Sequence, residues 1–104
     1  MTEEITEHDL QVCIKAHQEN KMSDNQIIQV FGKLANMVLA HRGLHFDHPE
    51  SVIADAADLC LVKLLKYDSN GKAFNFFVTI IGCWLSQARR MQMNLRKMGK
   101  SVHN

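Results

Sequence analysis

The sequence predicts an all-α protein, a compact bundle of about four helices, on three observations. One Pro and five Gly in 104 residues leave too few of the turn signals that a β-sandwich or barrel of this size needs every ~8–12 residues. Apolar residues recur at spacings of three and four, with no sustained period-two run. The breaks fall at residues suited to helix ends: Ser23, Gly43, Pro49 and the pair Asn70-Gly71. A hydrophobic fraction of 46% against a charged fraction of 22% argues against wholesale disorder, and the length suits a single domain over 1–104.

Thr6, followed by Glu7, His8 and Asp9, opens a short helix expected over 6–20, with Leu10, Cys13, Ile14 and His17 on one face. Ser23-Asp24-Asn25-Gln26 reads as a capping box, in which a hydroxyl and a side-chain amide satisfy backbone donors at the start of a second helix. That helix is expected over 24–42. Its inward face is Ile27, Val30, Phe31, Leu34 and Met37 or Val38, and Gly43 permits a left-handed cap after Arg42. Pro49 fits the first turn of a third helix over 49–66, because its missing N–H would be unpaired there in any case. Ile53, Ala57, Cys60 or Leu61, and Leu64 point inward, while Glu50, Asp55, Asp58, Lys63 and Lys66 point outward. Tyr67-Asp68-Ser69-Asn70-Gly71 is a turn between helices.

The last helix is expected over 73–98, ending near Gly99. One stripe of it could be Phe74, Phe77 or Val78, Ile81, Leu85 and Ala88. That leaves Phe76, Ile80, Trp84 and Gln87 on another side, with Asn75 and Thr79. A helix apolar nearly all round is either deeply buried or holds something.

The N-terminal MTEEITEHDL has no apolar stretch of signal-peptide type, and the run from Phe76 to Leu85 is too short to span a bilayer, so a cytoplasmic protein without membrane contact is expected. Cys13, Cys60 and Cys83 are odd in number and lack CxxC spacing, which reads as reduced thiols. His41, His45, His48 and Asp47 lie close in sequence, but Gly43 and Pro49 break any helical ligand spacing, and no metal or other cofactor is expected. No nucleophile elbow, phosphate-cradling Gly-rich loop or HExxH occurs, and the chain is not read as an enzyme.

The net charge of +1 conceals an asymmetry. Residues 1–68 hold six basic and all eleven acidic side chains, whereas 69–104 hold six basic side chains and no acid. Such a division points to a polyanion at the basic end and a different partner at the acidic one. Arg89, Arg90, Arg96, Lys97 and Lys100 follow an aromatic stretch on one helix, which joins phosphate-contacting cations to flat rings on which bases can stack. Periodicity alone equally allows a core helix whose basic end suits its own dipole.

The order of these pieces resembles the conserved second region of bacterial and phage sigma factors. The segment IADAADLCLVKLLKYD, a Gly turn and AFNFFVTIIGCWLSQARR carry the likeness, with Lys66-Tyr67-Asp68 and Phe74-x-x-Phe77-x-Thr79 at the positions of that pattern. Within that family the sequence is most similar to the late-transcription sigma factors of T-even-type bacteriophages, and the likeness spans roughly residues 6 to 98. The resemblance implies a sigma-like transcription initiation factor. Glu50, Ser51, Ala54, Asp55 and Asp58 would bind the clamp helices of the largest catalytic subunit of RNA polymerase core. The last helix would meet a short minus-ten-like promoter element and hold its opened strand. In that role Phe77 stacks on a flipped base, Asn75, Phe76, Thr79 and Ile80 lie beside it, Trp84 and Gln87 sit at the upstream edge, and Arg89 and Arg90 contact phosphate.

The sequence also departs from the primary sigma factors. Ile80-Ile81 stands where they carry a Trp pair, and Trp84 where they carry a base-reading Gln. Nothing after Met98 resembles the domain that reads the minus-thirty-five element or the clamp-binding tail of the late phage factors, so a second phage co-activator protein is an expected partner. A sigma mimic, which occupies the clamp helices without productive promoter recognition, is the alternative expectation.

Overall fold

The computed structural model describes residues 4–67 and 71–102, with side chains as far as Met98; Asp68, Ser69 and Asn70, on which part of the expected turn falls, lie outside the described residues. The described residues form four helices and no strand: α1 (Glu7–Gln18), α2 (Asp24–Arg42), α3 (Pro49–Leu64) and α4 (Ala73–Val102). The expected all-α bundle is what the chain forms.

Local chemistry sets each boundary. Thr6 and Asp9 close a capping box at α1, and Ser23 and Gln26 close a second at α2, each pairing two otherwise unsatisfied backbone donors. Helix α1 stops at Gln18, two residues short of the expected end, because Asn20 takes a left-handed φ of 61°. The Lys21 N–H then reaches the Ala16 carbonyl and the Asn20 N–H the His17 carbonyl, a Schellman closure. Gly43, with φ 60°, closes α2 in the same way through bonds from Leu44 to Leu39 and from Gly43 to Ala40. Helix α3 also ends two residues early, as Lys66 and Tyr67 tighten to three-residue bonds onto Lys63 and Leu64. Helix α4 runs through Gly99 to Val102: a single Gly weakens a helix by about 1 kcal/mol and does not by itself stop one.

The core is continuous across all four helices. Leu10 and Ile14 of α1, Ile27, Phe31, Leu34, Ala35 and Val38 of α2, Ala56, Ala57, Cys60 and Leu64 of α3, and Ala73, Phe77, Ile81 and Leu85 of α4 are buried. Phe77 is fully enclosed, its ring 4.8 Å from Phe31, 4.9 Å from Phe76 and 5.6 Å from Tyr67, centroid to centroid. Such tilted and edge-on pairs add to area burial. Phe74 and Val78, expected inward, are half-buried. Burial pushes the Cys60 thiol up to about 12, so it stays protonated, and raises the partly covered Cys13 as well; Cys83 is exposed.

Contacts between helices fix the frame. Helix α2 packs chiefly on α3, and α3 runs antiparallel to α4: Val52, near the start of α3, meets Trp84 in mid-α4, while Tyr67, just past the end of α3, meets Phe76. Helix α1 lies across the start of α4. There a Glu7 carboxylate oxygen accepts the Phe74 N–H at 2.7 Å, so one helix caps another. The 44–48 connection is strapped onto α4 by Gln92, which accepts the Asp47 N–H and donates to the His45 carbonyl, and by an Arg96–Asp47 ion pair at 2.6 Å.

Candidate nucleic-acid interface

Four-residue periodicity divides α4 into faces. Asn75, Thr79, Cys83, Ser86 and Arg90 follow one another on the solvent side, flanked by Gln87 and Arg89, and all seven are exposed. The Thr79 hydroxyl donates to the Asn75 carbonyl at 2.7 Å, which holds its oxygen along the helix with lone pairs turned outward. No acid occurs anywhere on α4. The face therefore presents two guanidiniums and several neutral polar groups without a competing carboxylate of its own.

Helix α3 supplies the contrasting surface. Glu50, Ser51, Ala54, Asp55 and Asp58 are all exposed on one side of it. Ser51 and Asp55 also stand at the rim of an apolar groove of about 440 Å³ between the start of α3 and the middle of α4, floored by Phe46, Val52, Trp84, Ala88, Met91 and Leu95.

Two expected DNA contacts must be corrected. Phe77 was expected to stack on a base, but it points into the core with none of its surface exposed, because its position falls on the stripe shared with Ala73, Ile81 and Leu85. Trp84 was expected at the upstream edge of the DNA face. Its indole N–H instead donates to the Val52 carbonyl at 3.1 Å, and the ring lines the groove toward α3, on the side of α4 away from Thr79 and Arg90. Phe76 and Ile80 are half-buried and packed against the core, with Phe76 edge-on to Tyr67. Asn75, Thr79, Gln87, Arg89 and Arg90 remain as exposed members of the expected set.

One residue escaped the sequence reading. Arg42, the last residue of α2, reaches α4 and lines a second groove of about 450 Å³ with Val78, Thr79, Gly82, Cys83, Ser86, Gln87 and Arg90. The signal was Gly82, a helix-weakening residue in mid-helix that periodicity leaves unexplained. Among the described residues no three His, Cys, Asp or Glu side chains converge as metal ligands, and no helix is long and apolar enough to cross a membrane. Compared with known proteins, the chain matches no family model, no curated protein and no solved structure.

Proposed function

We propose that the protein is a sigma-like initiation factor, without catalysis of its own, acting in the cytoplasm of a phage-infected bacterium. The acidic side of α3 docks on the clamp helices of RNA polymerase core, and the solvent side of α4 holds a short minus-ten-like promoter element while the polymerase opens it. One observation supports this reading above the others: two neighbouring antiparallel helices expose surfaces of opposite charge, Glu50, Asp55 and Asp58 on one and Arg89 and Arg90 on the other. Carboxylates suit a basic protein helix, and guanidiniums suit phosphate. DNA contact then rests on Asn75, Thr79, Gln87, Arg89 and Arg90, without base capture by Phe77. A second phage protein would supply upstream promoter contacts.

The enclosure of Phe77 and the anchoring of Trp84 favour a second reading as well. Without an exposed ring to trap a flipped base, the protein could occupy the clamp helices as a sigma mimic. Purified polymerase core, the protein and a melted-bubble promoter fragment separate the two. The initiation factor gives core binding and promoter opening; the mimic gives core binding alone. Reversing Asp55 and Asp58 to Arg should weaken core binding by about tenfold or more, since facing like charges cost several kcal/mol. Unchanged core binding by this double variant would remove α3 from the docking surface and both readings with it.

A further inference from the structure

We infer that Arg42 and Arg90 form the two sides of a phosphodiester-binding cleft across α4, and that Gly82 exists to seat the Arg42 guanidinium there. The inference rests on the nucleic-acid reading of α4 and extends it to the end of α2. Gly is the poorest helix former after Pro, so its place in the middle of the long α4 calls for a local reason. That reason is spatial: a Cβ on Gly82 would stand 2.5 Å from one terminal nitrogen of the Arg42 guanidinium, 2.9 Å from its carbon and 3.1 Å from the second terminal nitrogen. The group lies against the α4 backbone at Gly82, and a methyl there would push this flexible side-chain end aside.

Arg42 leaves α2 at a defined point. It is the residue before Gly43, and the two backbone bonds that close α2 fix where its side chain departs. A cation at a helix C-terminus complements the helix dipole, but that effect needs no glycine on a neighbouring helix. The Arg42 side chain is exposed and makes no hydrogen bond or ion pair among the described residues, in contrast to Arg96, which is tied to Asp47. Between Arg42 and Arg90 the cleft is lined by Thr79, Ser86 and Gln87, and no carboxylate among the described residues lines it. Two unneutralised planar donor groups with neutral polar groups between them match an anion with several oxygens. The run of exposed polar residues along the same face, from Asn75 to Arg90, favours an extended polymer over a small anion, and a single-stranded nucleic acid is the occupant that fits.

The test measures binding of a short labelled single-stranded oligonucleotide to the protein alone, across a salt series, for the unaltered chain and for Arg42→Gln, Arg90→Gln, Gly82→Ala and the Arg42→Gln/Gly82→Ala pair. Each single variant should bind about tenfold more weakly, and the slope of log affinity against log salt should fall by about 0.7 for each phosphate left without its guanidinium. Gly82→Ala is the decisive variant, because Ala strengthens the helix: its melting temperature should hold or rise while binding falls. The pair should bind no worse than Arg42→Gln alone, since both changes remove the same interaction. The cleft is overturned if the unaltered protein ignores the oligonucleotide, if Gly82→Ala and Arg42→Gln keep its affinity and salt slope, or if their losses add. An equal preference for a polyglutamate chain over the oligonucleotide overturns the choice of occupant. Arg42-dependent oligonucleotide binding by a protein that ignores polymerase core sinks the initiation-factor reading and leaves the cleft standing. Promoter opening that survives Arg42→Gln and Gly82→Ala undiminished does the reverse.

Discussion

The two halves of α4 carry the same pattern and meet different fates. Phe77, Ile81, Trp84, Ala88, Met91, Leu95 and Met98 follow in alternating steps of four and three, which keeps them on one side of the helix throughout. Phe77 and Ile81 are fully enclosed, yet Met91, Leu95 and Met98 are 59%, 66% and 63% exposed. The cause is length. Helix α3, which covers this side, has 16 residues and rises about 24 Å, against 30 residues and about 45 Å for α4. Past Ala88 the 44–48 connection reaches α4 through Gln92 and Arg96, and it leaves the apolar side uncovered. A periodic stripe shows which residues share a face; the neighbours' lengths decide which of them are buried.

Substituting along this stripe is the strongest way to break the comparison. Phe77→Ala removes a ring packed among Phe31, Phe76 and Tyr67 and should cost about 3–5 kcal/mol in denaturant unfolding, enough to threaten a domain of this size. Leu95→Ala should change stability by no more than about 0.5 kcal/mol, because its side chain stands largely in water. Similar losses at the two positions would mean that the second half of α4 is covered in solution.

The same contrast explains what was legible beforehand. The helix start at Thr6, the Ser23 capping box, the Gly43 cap, the Pro49 start and the four helices could be read because each depends on residues within one turn of each other. The exposure of Glu50, Asp55, Asp58, Asn75, Thr79, Arg89 and Arg90 was legible for a similar reason, since polar groups fall opposite the apolar stripe. Phe77 was placed outward by the family resemblance and as a possible inward residue by periodicity, and packing followed periodicity. Trp84 and Arg42 were beyond reach. Their positions depend on Val52, 32 residues away, and on Gly82, 40 positions along the chain, and no local rule pairs residues over such distances.

A smaller effect concerns how the covered half of α4 begins. Its first turn has Glu7 of α1 as an outside acceptor for the Phe74 N–H, and the second carboxylate oxygen of Glu7 is buried without a hydrogen-bond partner among the described residues. The capping bond and the favourable meeting of a carboxylate with a helix N-terminus stabilise; the orphaned oxygen offsets part of that gain. Glu7→Ala should therefore cost about 0.5–2 kcal/mol, toward the lower end, and speed amide exchange at Phe74. Exchange at Arg89 and beyond should not change. An unchanged Phe74 amide would show that α4 starts without help from α1.

The smallest expected effect is a pH dependence that travels by the same route. Asp9 accepts the Thr6 backbone N–H at 3.2 Å, and its own N–H is received by the Thr6 hydroxyl. The Thr6 backbone bond first, and its side-chain bond second, hold the Asp9 carboxyl below its ordinary value of 3.8. A depressed acid contributes stability that is fully present above that ordinary value and is lost as pH falls through the lower, folded-state value. Acid should thus open the α1 capping box. Since Glu7 sits in the turn between Thr6 and Asp9, the Phe74 amide should lose protection along with it, while the projecting half of α4 stays indifferent. Asp9→Asn provides the comparison, as an amide at this position does not titrate. If the unaltered chain and Asp9→Asn show the same acid dependence of exchange at Asp9 and Phe74, the capping carboxylate is not what couples pH to the start of α4.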